Sequence, residues 1–232
     1  EDEAKQIIEF DCRAASFIRR YVGSQELIKG INRYCIWVTE QNADAAYGIE
    51  YFRERFENVK RMRLSSKKDV TAKIASSPHL FGEIRQENSE LTIVIPRVSS
   101  ELRPYLPCGI LTNGEIISDR NFGIYDGPLW ALSLITSKMH LIWIATVCVR
   151  LEERFSYSNT IGWNTFPVPP LTEEQKRLLD ISARNILLTR ENHLGATIAD
   201  LYDPKKMPED LRKVHEDNDS LLESFYRSHP FK

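Results

Sequence analysis

Cysteine is scarce in this sequence, and the few cysteines present form no pattern. The 232 residues include four, Cys12, Cys35, Cys108 and Cys148, which stand far apart without a CxxC pair. This spacing fits neither a zinc knuckle nor a disulfide framework. We therefore expect free thiols in a reducing, cytoplasmic setting. The charged opening EDEAKQ is followed by no apolar run, so we expect no secretory signal.

Long hydrophobic runs are also missing. The most apolar stretch, residues 129–151, is interrupted by polar residues such as Lys138, His140 and Arg150. It never reaches the roughly 20 apolar residues that a membrane-spanning helix needs. We therefore expect a pair of core helices in this stretch and no contact with a membrane. A hydrophobic fraction of 42% is nevertheless too high for a disordered chain.

Motifs for cofactor, nucleotide and metal chemistry are absent from the sequence. We find no GxGxxG or FxGxG turn, no acidic-Pro-Pro-aromatic tetrad, no GxxxxGK[ST] loop and no GxSxG elbow. The E-x-K triplet at 174–176 follows a capping residue, so its glutamate has a structural role at a helix start. The five histidines show no metal spacing, and we expect His140 to be a core or interface residue and not a ligand or base. These absences predict a chain without a catalytic centre and without a cofactor of its own.

Charge is balanced overall but unevenly distributed. The chain has 31 Lys and Arg against 33 Asp and Glu, whereas a free-standing nucleic-acid binder is usually basic. Residues 53–73 nevertheless hold eight basic and three acidic side chains, and residues 191–223 hold four basic and nine acidic ones. A basic middle and an acidic tail indicate two functional regions.

The pattern of apolar residues predicts a mixed fold. Residues 33–38 are β-branched and aromatic and predict a buried strand. Apolar residues recur between 45 and 59 at helical spacing and predict one amphipathic helix of about five turns. Between 91 and 125, short apolar runs punctuated by Pro and Gly predict a small antiparallel region, and Asn113-Gly114 predicts a hairpin.

Helix signals dominate the remaining sequence. Ser137 is expected to cap a restarted helix, and Thr172 opens a capping box for a helix that ends near Arg190. Residues 157–170 predict an extended connector, and Pro208 begins a last helix. The predicted fold class is therefore α+β: a small mixed or antiparallel β recognition region flanked by helices, followed by a C-terminal helical module. We place the domain boundary between residues 1–168 and 169–232.

Five segments, in order, resemble one protein family. They span residues 17–38, 93–111, 132–169, 171–175 and 194–219, and the string SNTxxWNxFP at 158–167 is the most specific of them. The chain is similar to the carboxy-terminal part of MmeI-type (type IIL) restriction–modification proteins and related large DNA adenine-N6 methyltransferases. In that family a nuclease, a helical spacer and a methyltransferase domain precede a target-recognition domain and a helical tail. Only the last two resemble this chain.

The resemblance implies a non-catalytic module that recognises a specific double-stranded DNA sequence. Methyl transfer, with S-adenosylmethionine as cofactor, would belong to an upstream methyltransferase domain of the same polypeptide, with or without an endonuclease. The fragment itself would need no cofactor. Two alternatives stay open: a protein–protein interaction module of a phage-defence methyltransferase complex, and an enzyme whose site has no familiar motif.

A recognition domain needs Arg, Lys, Asn or Ser side chains at base edges and phosphates. We expect the basic residues of 53–73 to contact phosphates, and side chains of the β region to contact bases in the major groove. Ser118 and Arg120 are two residues apart and would share one face of a strand, which makes Arg120 the first candidate for base contact. For any single residue, a solvated surface role or a turn hydrogen bond remains the alternative. The candidate DNA-binding residues are Lys67, Lys68, Arg85, Arg97, Ser99, Ser100, Arg103, Ser118, Arg120 and Asn121.

Overall fold

The computed structural model describes residues 1–84, 89–112 and 114–227. Within these residues the chain forms ten α-helices and nine β-strands. The helices are α1 (Asp2–Phe10), α2 (Ser24–Lys29), α3 (Ala43–Tyr47), α4 (Glu50–Leu64), α5 (Asp69–Lys73), α6 (Trp130–Ile135), α7 (Lys138–Val147), α8 (Glu173–Glu191), α9 (Ile198–Leu201) and α10 (Glu209–Tyr226). The strands are β1 (Ile18–Val22), β2 (Tyr34–Ile36), β3 (Leu91–Pro96), β4 (Val98–Ser99), β5 (Gly109–Thr112), β6 (Ile116–Ile117), β7 (Asn121–Tyr125), β8 (Arg150–Leu151) and β9 (Arg154–Ser156).

Helices, small antiparallel sheets and a helical C-terminal end confirm the predicted α+β class. The strands form three three-stranded sheets, with the orders β2-β1-β6, β5-β3-β7 and β4-β9-β8. Among the described helices, none combines the length and the apolar character that crossing a membrane requires. The chain divides into two compact units, which are described separately below.

The first unit comprises residues 1–21, 32–88 and 114–116. Its core contains Phe17, Ala46, Ile49, Phe52 and Phe56, all buried. The apolar spacing predicts one continuous helix, but the structure has two helices, α3 and α4, in its place. The prediction of a single helix is therefore wrong. Gly48 ends α3 and Ile49 adopts an extended conformation before α4. Glycine weakens a helix interior, and the break lets Ile49 turn its side chain into the core.

Strand β2 confirms the predicted strand at 33–38 but not its burial. It lies at the edge of the sheet β2-β1-β6, paired on one side with β1. Tyr34 is exposed, and Cys35 and Ile36 are only partly buried. An edge strand of a small sheet keeps one flank in solvent, which explains why an apolar string is not fully covered here.

The second unit comprises residues 22–31, 89–113 and 117–232, and its centre is the sheet β5-β3-β7. Ile93 and Ile95 of β3 pack in one cluster with residues of α6 and α7. Val94, which points to the opposite face, packs with Val22 and Leu27. Because both faces are covered, β3 shows a continuous apolar run and no alternation.

The predicted hairpin at Asn113-Gly114 is wrong. Asn113 lies outside the described residues, but the strands on either side of it are described and do not pair with each other. Strand β5 pairs with β3 over four residue pairs, and β6 belongs to a different sheet. Pairing with the central strand gives β5 more ladder hydrogen bonds than a two-residue strand such as β6 could offer.

The helical signals of the second unit are confirmed. The Ser137 side chain caps α7 by accepting a hydrogen bond from the His140 amide. Thr172 and Gln175 form the capping box at the start of α8, and Pro208 precedes α10. Helix α8 packs against α6 and α10, and its buried residues are Leu179, Ala183 and Ile186, which share one face at helical spacing.

The connector at 157–170 is not extended throughout, and this part of the prediction is wrong. Asn159–Trp163 form a π-helical turn, which Ser158 begins by accepting a hydrogen bond from the Ile161 amide. A Cβ at Gly162 would stand 3.0 Å from the Cys148 sulfur. Glycine therefore permits the turn to approach the core closely. The exposed Asn159 and Asn164 lie at the two ends of this turn.

Candidate nucleic-acid interface

The turn that connects β6 to β7 presents two charged side chains to solvent. We call residues 118–121 the recognition turn. The side chains of Asp119 and Arg120 are 77% and 78% exposed, and Arg120 Nε lies 3.9 Å from Asp119 Oδ1. An exposed ion pair at this distance is weak. Both side chains are therefore available to an incoming ligand.

The backbone beneath these two side chains is hydrogen-bonded at nearly every polar group. The Arg120 amide donates to Ser118 Oγ at 3.1 Å. The Arg120 carbonyl accepts from the Arg97 amide at 3.0 Å and from Ser24 Oγ at 2.7 Å. The Asp119 carbonyl accepts from Arg97 Nη1 at 3.2 Å. The exposed side chains therefore stand on a backbone that is held in place.

The segment at residues 22–24 approaches the recognition turn closely. The Val22 carbonyl accepts from the Ser118 amide at 3.0 Å and from Asn121 Nδ2 at 3.0 Å. A Cβ on Gly23 would stand 3.0 Å from Ser118 Oγ and 2.6 Å from Glu26 Oε2. A side chain at position 23 would require the Glu26 carboxylate and the Ser118 hydroxyl to shift, so glycine suits this close approach.

The strand argument that placed Ser118 and Arg120 on one face is wrong. Strand β6 ends at Ile117, and residues 118–120 form the turn. Ser118 and Asn121 are 5% and 6% exposed and are bonded within the chain. The structure thus places these two candidates beneath the surface, whereas Arg120 points away from it.

The segment with Ser99, Ser100 and Arg103 is only partly accessible. Ser99 lies in β4 and is buried. Arg103 is partly buried, and its Nη1 donates to Ser99 Oγ at 3.4 Å. Burial also lowers the pKa of Arg103. Ser100 accepts a hydrogen bond from the Leu102 amide at 3.3 Å and keeps part of its surface exposed.

Arg97 contacts the recognition turn and directly precedes strand β4 in the sequence. Its side chain is exposed, and its guanidinium lies 5.5 Å from the centre of the Phe122 ring. One face of the guanidinium is thereby occupied by an aromatic contact, and Nη1 bonds to the Asp119 carbonyl. Arg97 therefore supports the recognition turn and still carries a positive charge beside it.

The basic stretch 53–73 belongs to the first unit and contains two kinds of basic residue. Lys67 and Lys68 are exposed where the chain enters α5. Arg63 is 8% exposed and donates to the carbonyls of Ile74, Ser77 and Leu80 at 2.7 to 2.9 Å. Burial lowers its pKa. Arg63 thus holds the following segment in place and is not free to contact a phosphate.

Arg85 lies outside the described residues. The other nine candidates fall into three groups by exposure, and Ser99, Ser118 and Asn121 form the buried group. Lys67, Lys68, Arg97 and Arg120 are exposed, and Ser100 and Arg103 are partly exposed.

The first unit contains an apolar groove with a cysteine in its wall. This groove of about 430 Å³ is lined largely by apolar side chains, among them Ile7, Phe56 and Met62, together with Cys35. Burial raises the pKa of Cys35 to about 12, so its thiol is protonated at neutral pH and a poor nucleophile. Within residues 1–84, 89–112 and 114–227, no group of His, Cys, Asp and Glu is arranged to hold a metal ion. The expected core position of His140 is confirmed, since it is fully buried.

Comparison with known families covers the entire chain. The family described as "MmeI, target recognition domain" matches residues 1–170, and "MmeI, C-terminal domain" matches residues 171–232. The chain belongs to the MmeI family. Within that family it consists of a target-recognition domain and a C-terminal domain, as the resemblance of its sequence predicted.

Two relatives of this MmeI-family chain are informative. DNA methyltransferase A of Bacillus subtilis (strain 168) is 34% identical over 216 residues, which are 93% of this chain and 24% of that protein. The solved structure of the type IIL restriction–modification enzyme MmeI in complex with DNA matches with a TM-score of 0.93 and 32% identity, over 97% of this chain and 30% of that one. The chain therefore spans about a quarter of the length of the curated relative.

Two residues of the site in this MmeI-family chain were missed by the sequence reasoning. Asp119 is not among the candidates predicted from the sequence, yet its side chain is as exposed as that of Arg120. No sequence pattern indicates a role for Ser24, because 96 positions separate it from the carbonyl that it contacts. A charged pair in a turn could have been recognised from the sequence, whereas the contact from α2 required the structure.

Proposed function

We propose that this chain is the sequence-specific double-stranded DNA recognition module of a longer DNA adenine-N6 methyltransferase, and that it is not catalytic by itself. The observation that carries the proposal is the exposed Asp119–Arg120 pair on a hydrogen-bonded turn. Membership of the MmeI target-recognition family supports it. So do the names of the two relatives, one a DNA methyltransferase and the other an enzyme solved with DNA.

The chemistry of the recognition turn suits base contact in the major groove. Arginine donates two hydrogen bonds to O6 and N7 of guanine, and a carboxylate accepts from the amino group of cytosine. Arg120 is our first candidate for a guanine contact, and Asp119 can accept from an amino group nearby. Because the backbone is held, binding would cost little additional ordering.

Basic side chains outside the turn would contact phosphates. We assign this role to Lys67 and Lys68 of the first unit and to Arg97, Arg103 and Arg85. Ser100 is a candidate for a hydrogen bond to the sugar–phosphate backbone. Such contacts fix the position of a protein on DNA without distinguishing sequences. Ser99, Ser118 and Asn121 would act from below, by holding the backbone of these surfaces.

The activity of the whole protein would reside in other parts of a longer polypeptide. We propose that residues 1–168 form the recognition domain and residues 169–232 a helical domain. An upstream methyltransferase domain would bind S-adenosylmethionine and methylate an adenine flipped out of the duplex, with or without an associated endonuclease. We expect this protein in the cytoplasm.

Selection from a randomised duplex library tests the proposed function. The purified chain is mixed at low salt with duplexes whose central segment is randomised, and bound DNA is sequenced. We expect one short motif to be enriched and its binding to weaken steeply as salt is raised, because counterions are released from phosphates. Absence of DNA binding would contradict the proposal and favour the alternative, a protein–protein module of a phage-defence methyltransferase complex.

A further inference from the structure

Ser24 connects a distant part of the chain to the recognition turn. Its Oγ lies 2.7 Å from the carbonyl oxygen of Arg120 and 2.9 Å from Oδ1 of Asn121. A hydroxyl has one proton, so Ser24 donates to one of these two oxygens at a time. Whichever oxygen accepts, the hydrogen bond holds Ser24 against Arg120 or against Asn121, the residue that follows it.

The start of helix α2 does not account for this arrangement. Ser24 is the first residue of α2, but the N-cap position belongs to Gly23, and Gly23 has no side chain that could cap the helix. The Gly23 amide is satisfied by Glu26 Oε2 at 2.9 Å. The Ser24 hydroxyl is directed away from its own helix, towards the recognition turn.

Asn121 makes the same connection from the other side. Its Nδ2 donates to the Val22 carbonyl at 3.0 Å, while its Oδ1 faces Ser24. The buried amide group therefore bridges two groups of the segment 22–24. This fixes the orientation of the Asn121 side chain and, with it, the end of the turn.

Together these contacts restrict the backbone of Arg120. Its amide bonds to Ser118 Oγ, and its carbonyl accepts from Ser24 Oγ and from the Arg97 amide. With both peptide groups bonded, the torsions of its own side chain are the main remaining freedom of Arg120. Bidentate contact with a base tolerates only small errors in position, so a fixed backbone favours discrimination between bases.

We propose that Ser24 is a positioning residue for base recognition, which makes the preference for one base pair depend on a side chain that contacts no base. This inference rests on the proposed DNA-recognition function and goes beyond it by adding a determinant of specificity outside the β region. Ser24 acts through the backbone of Arg120 and not through the affinity of the chain for phosphates.

The test compares five variants with the wild-type chain in the library selection described above, one of them the double variant of Ser24→Ala with Arg120→Ala. Ser24→Ala removes the hydroxyl, Ser24→Thr retains it, and Arg120→Ala removes the arginine. Ser220→Ala is the matched control, because Ser220 Oγ also donates to a backbone carbonyl, that of Glu216 at 2.9 Å, on the exposed side of α10. The thermal midpoint of unfolding is measured for each variant.

We expect Ser24→Ala to lower the preference at one base pair by about fivefold, the effect of losing one hydrogen bond. That base pair should be the one at which Arg120→Ala loses its preference. Ser24→Thr and Ser220→Ala should keep the wild-type motif. In the Arg120→Ala background, Ser24→Ala should have no further effect, because coupled residues are not additive.

Three results would overturn the positioning role. The first is an unchanged motif for Ser24→Ala. The second is a loss for Ser24→Ala that adds fully to the loss for Arg120→Ala, as a general effect on stability would. In the third, the wild-type chain binds DNA without selecting any sequence, which contradicts the proposed function and the role of Ser24 together, whereas the first two results contradict the role of Ser24 alone.

Discussion

At the scale of single residues, arginine has two opposite roles in this chain. Arg120 stands exposed on a bonded turn, where its guanidinium can meet a ligand. Arg63 is buried and donates to three backbone carbonyls, so its hydrogen-bonding capacity is used within the protein. Both belong to polar stretches of the sequence, and burial alone separates a candidate for recognition from a structural brace.

In the proposed full-length methyltransferase, replacing Arg120 should change the target sequence. A bidentate arginine–guanine contact is worth about 1–3 kcal/mol of discrimination, so Arg120→Ala should relax one position of the methylated site. Arg120→Lys should retain charge but not the bidentate contact, and should relax the same position. Sequencing of methylated DNA measures the result. If both variants keep the parental site and lose only rate, Arg120 contacts phosphate and not a base.

Replacing Arg63 should affect stability and leave the DNA sequence preference intact. Arg63→Ala removes three charge-assisted hydrogen bonds and leaves three carbonyls without that donor, so we expect a loss of about 2–4 kcal/mol in the free energy of unfolding. Arg53→Ala is the control, because Arg53 is exposed on the same helix α4 and should change stability by less than about 0.5 kcal/mol. Urea denaturation distinguishes them. Equal stability of the two variants would contradict the bracing role.

At the scale of helices and strands, local sequence signals predicted where helices begin. They did not predict which strands pair with each other. The capping box at Thr172 and the cap at Ser137 act within three or four residues, and both are confirmed. The hairpin expected at Asn113-Gly114 failed because the partner of β5 is β3, which no local pattern reveals. The recognition turn shows the same limit: its residues are adjacent in the sequence, but Ser24 and Arg97, which hold it, are not.

Two exposed lysines before helix α5 allow a prediction about the salt dependence of DNA binding. Lys67 and Lys68 are exposed at the start of α5, and each phosphate contact adds about one unit to the salt dependence of binding. Lys67→Glu with Lys68→Glu should weaken binding to all sequences alike and lower that dependence by about two units. The control is the matched reversal of the exposed Lys205 and Lys206 in the acidic C-terminal part. Unchanged binding after reversal at 67 and 68 would place the phosphate contacts elsewhere.

At the scale of the whole molecule, the proposed function assigns recognition to this chain and catalysis to another part of a longer protein. The chain covers 24% of its curated relative, and its sequence has no glycine-rich cofactor turn. We therefore expect the isolated chain to show no binding of S-adenosylmethionine in a calorimetric titration and no methyl transfer to DNA. Micromolar affinity for the cofactor would contradict this separation of roles.

A buried polar network in the second unit connects helices α8 and α10 with the residue that follows α9. Asp219 of α10 accepts from Tyr105 Oη at 2.9 Å and from the Lys138 amide at 2.8 Å. His215, one turn earlier, stacks on Tyr105 and lies 2.7 Å from Tyr202 Oη, which also accepts from Arg190 Nε. Burial raises the pKa of Asp219 to about 6 and lowers that of His215 well below 6.5.

The pKa shifts of Asp219 and His215 make stability depend on pH in opposite directions. A substitution of Asp219 separates the two contributions. The unfolded Asp219 has a pKa near 3.8, so the folded state binds its proton more tightly, and this contribution to stability is lost as pH rises towards and through 6. The neutral His215 contributes stability above about 6.5 that is lost as pH falls. Asp219→Asn removes only the first dependence.

We therefore expect the stability of Asp219→Asn, relative to wild type, to increase by about 1 kcal/mol when the pH is raised from 5 to 8. Urea denaturation of both proteins at these pH values measures the difference, and His215 cancels because both proteins retain it. Asp217→Asn is the control, since Asp217 is exposed on the same helix and pairs with Lys213 at the surface. A pH-independent difference between wild type and Asp219→Asn would mean that Asp219 titrates normally, and the network would then hold α10 through a carboxylate that is charged throughout this range.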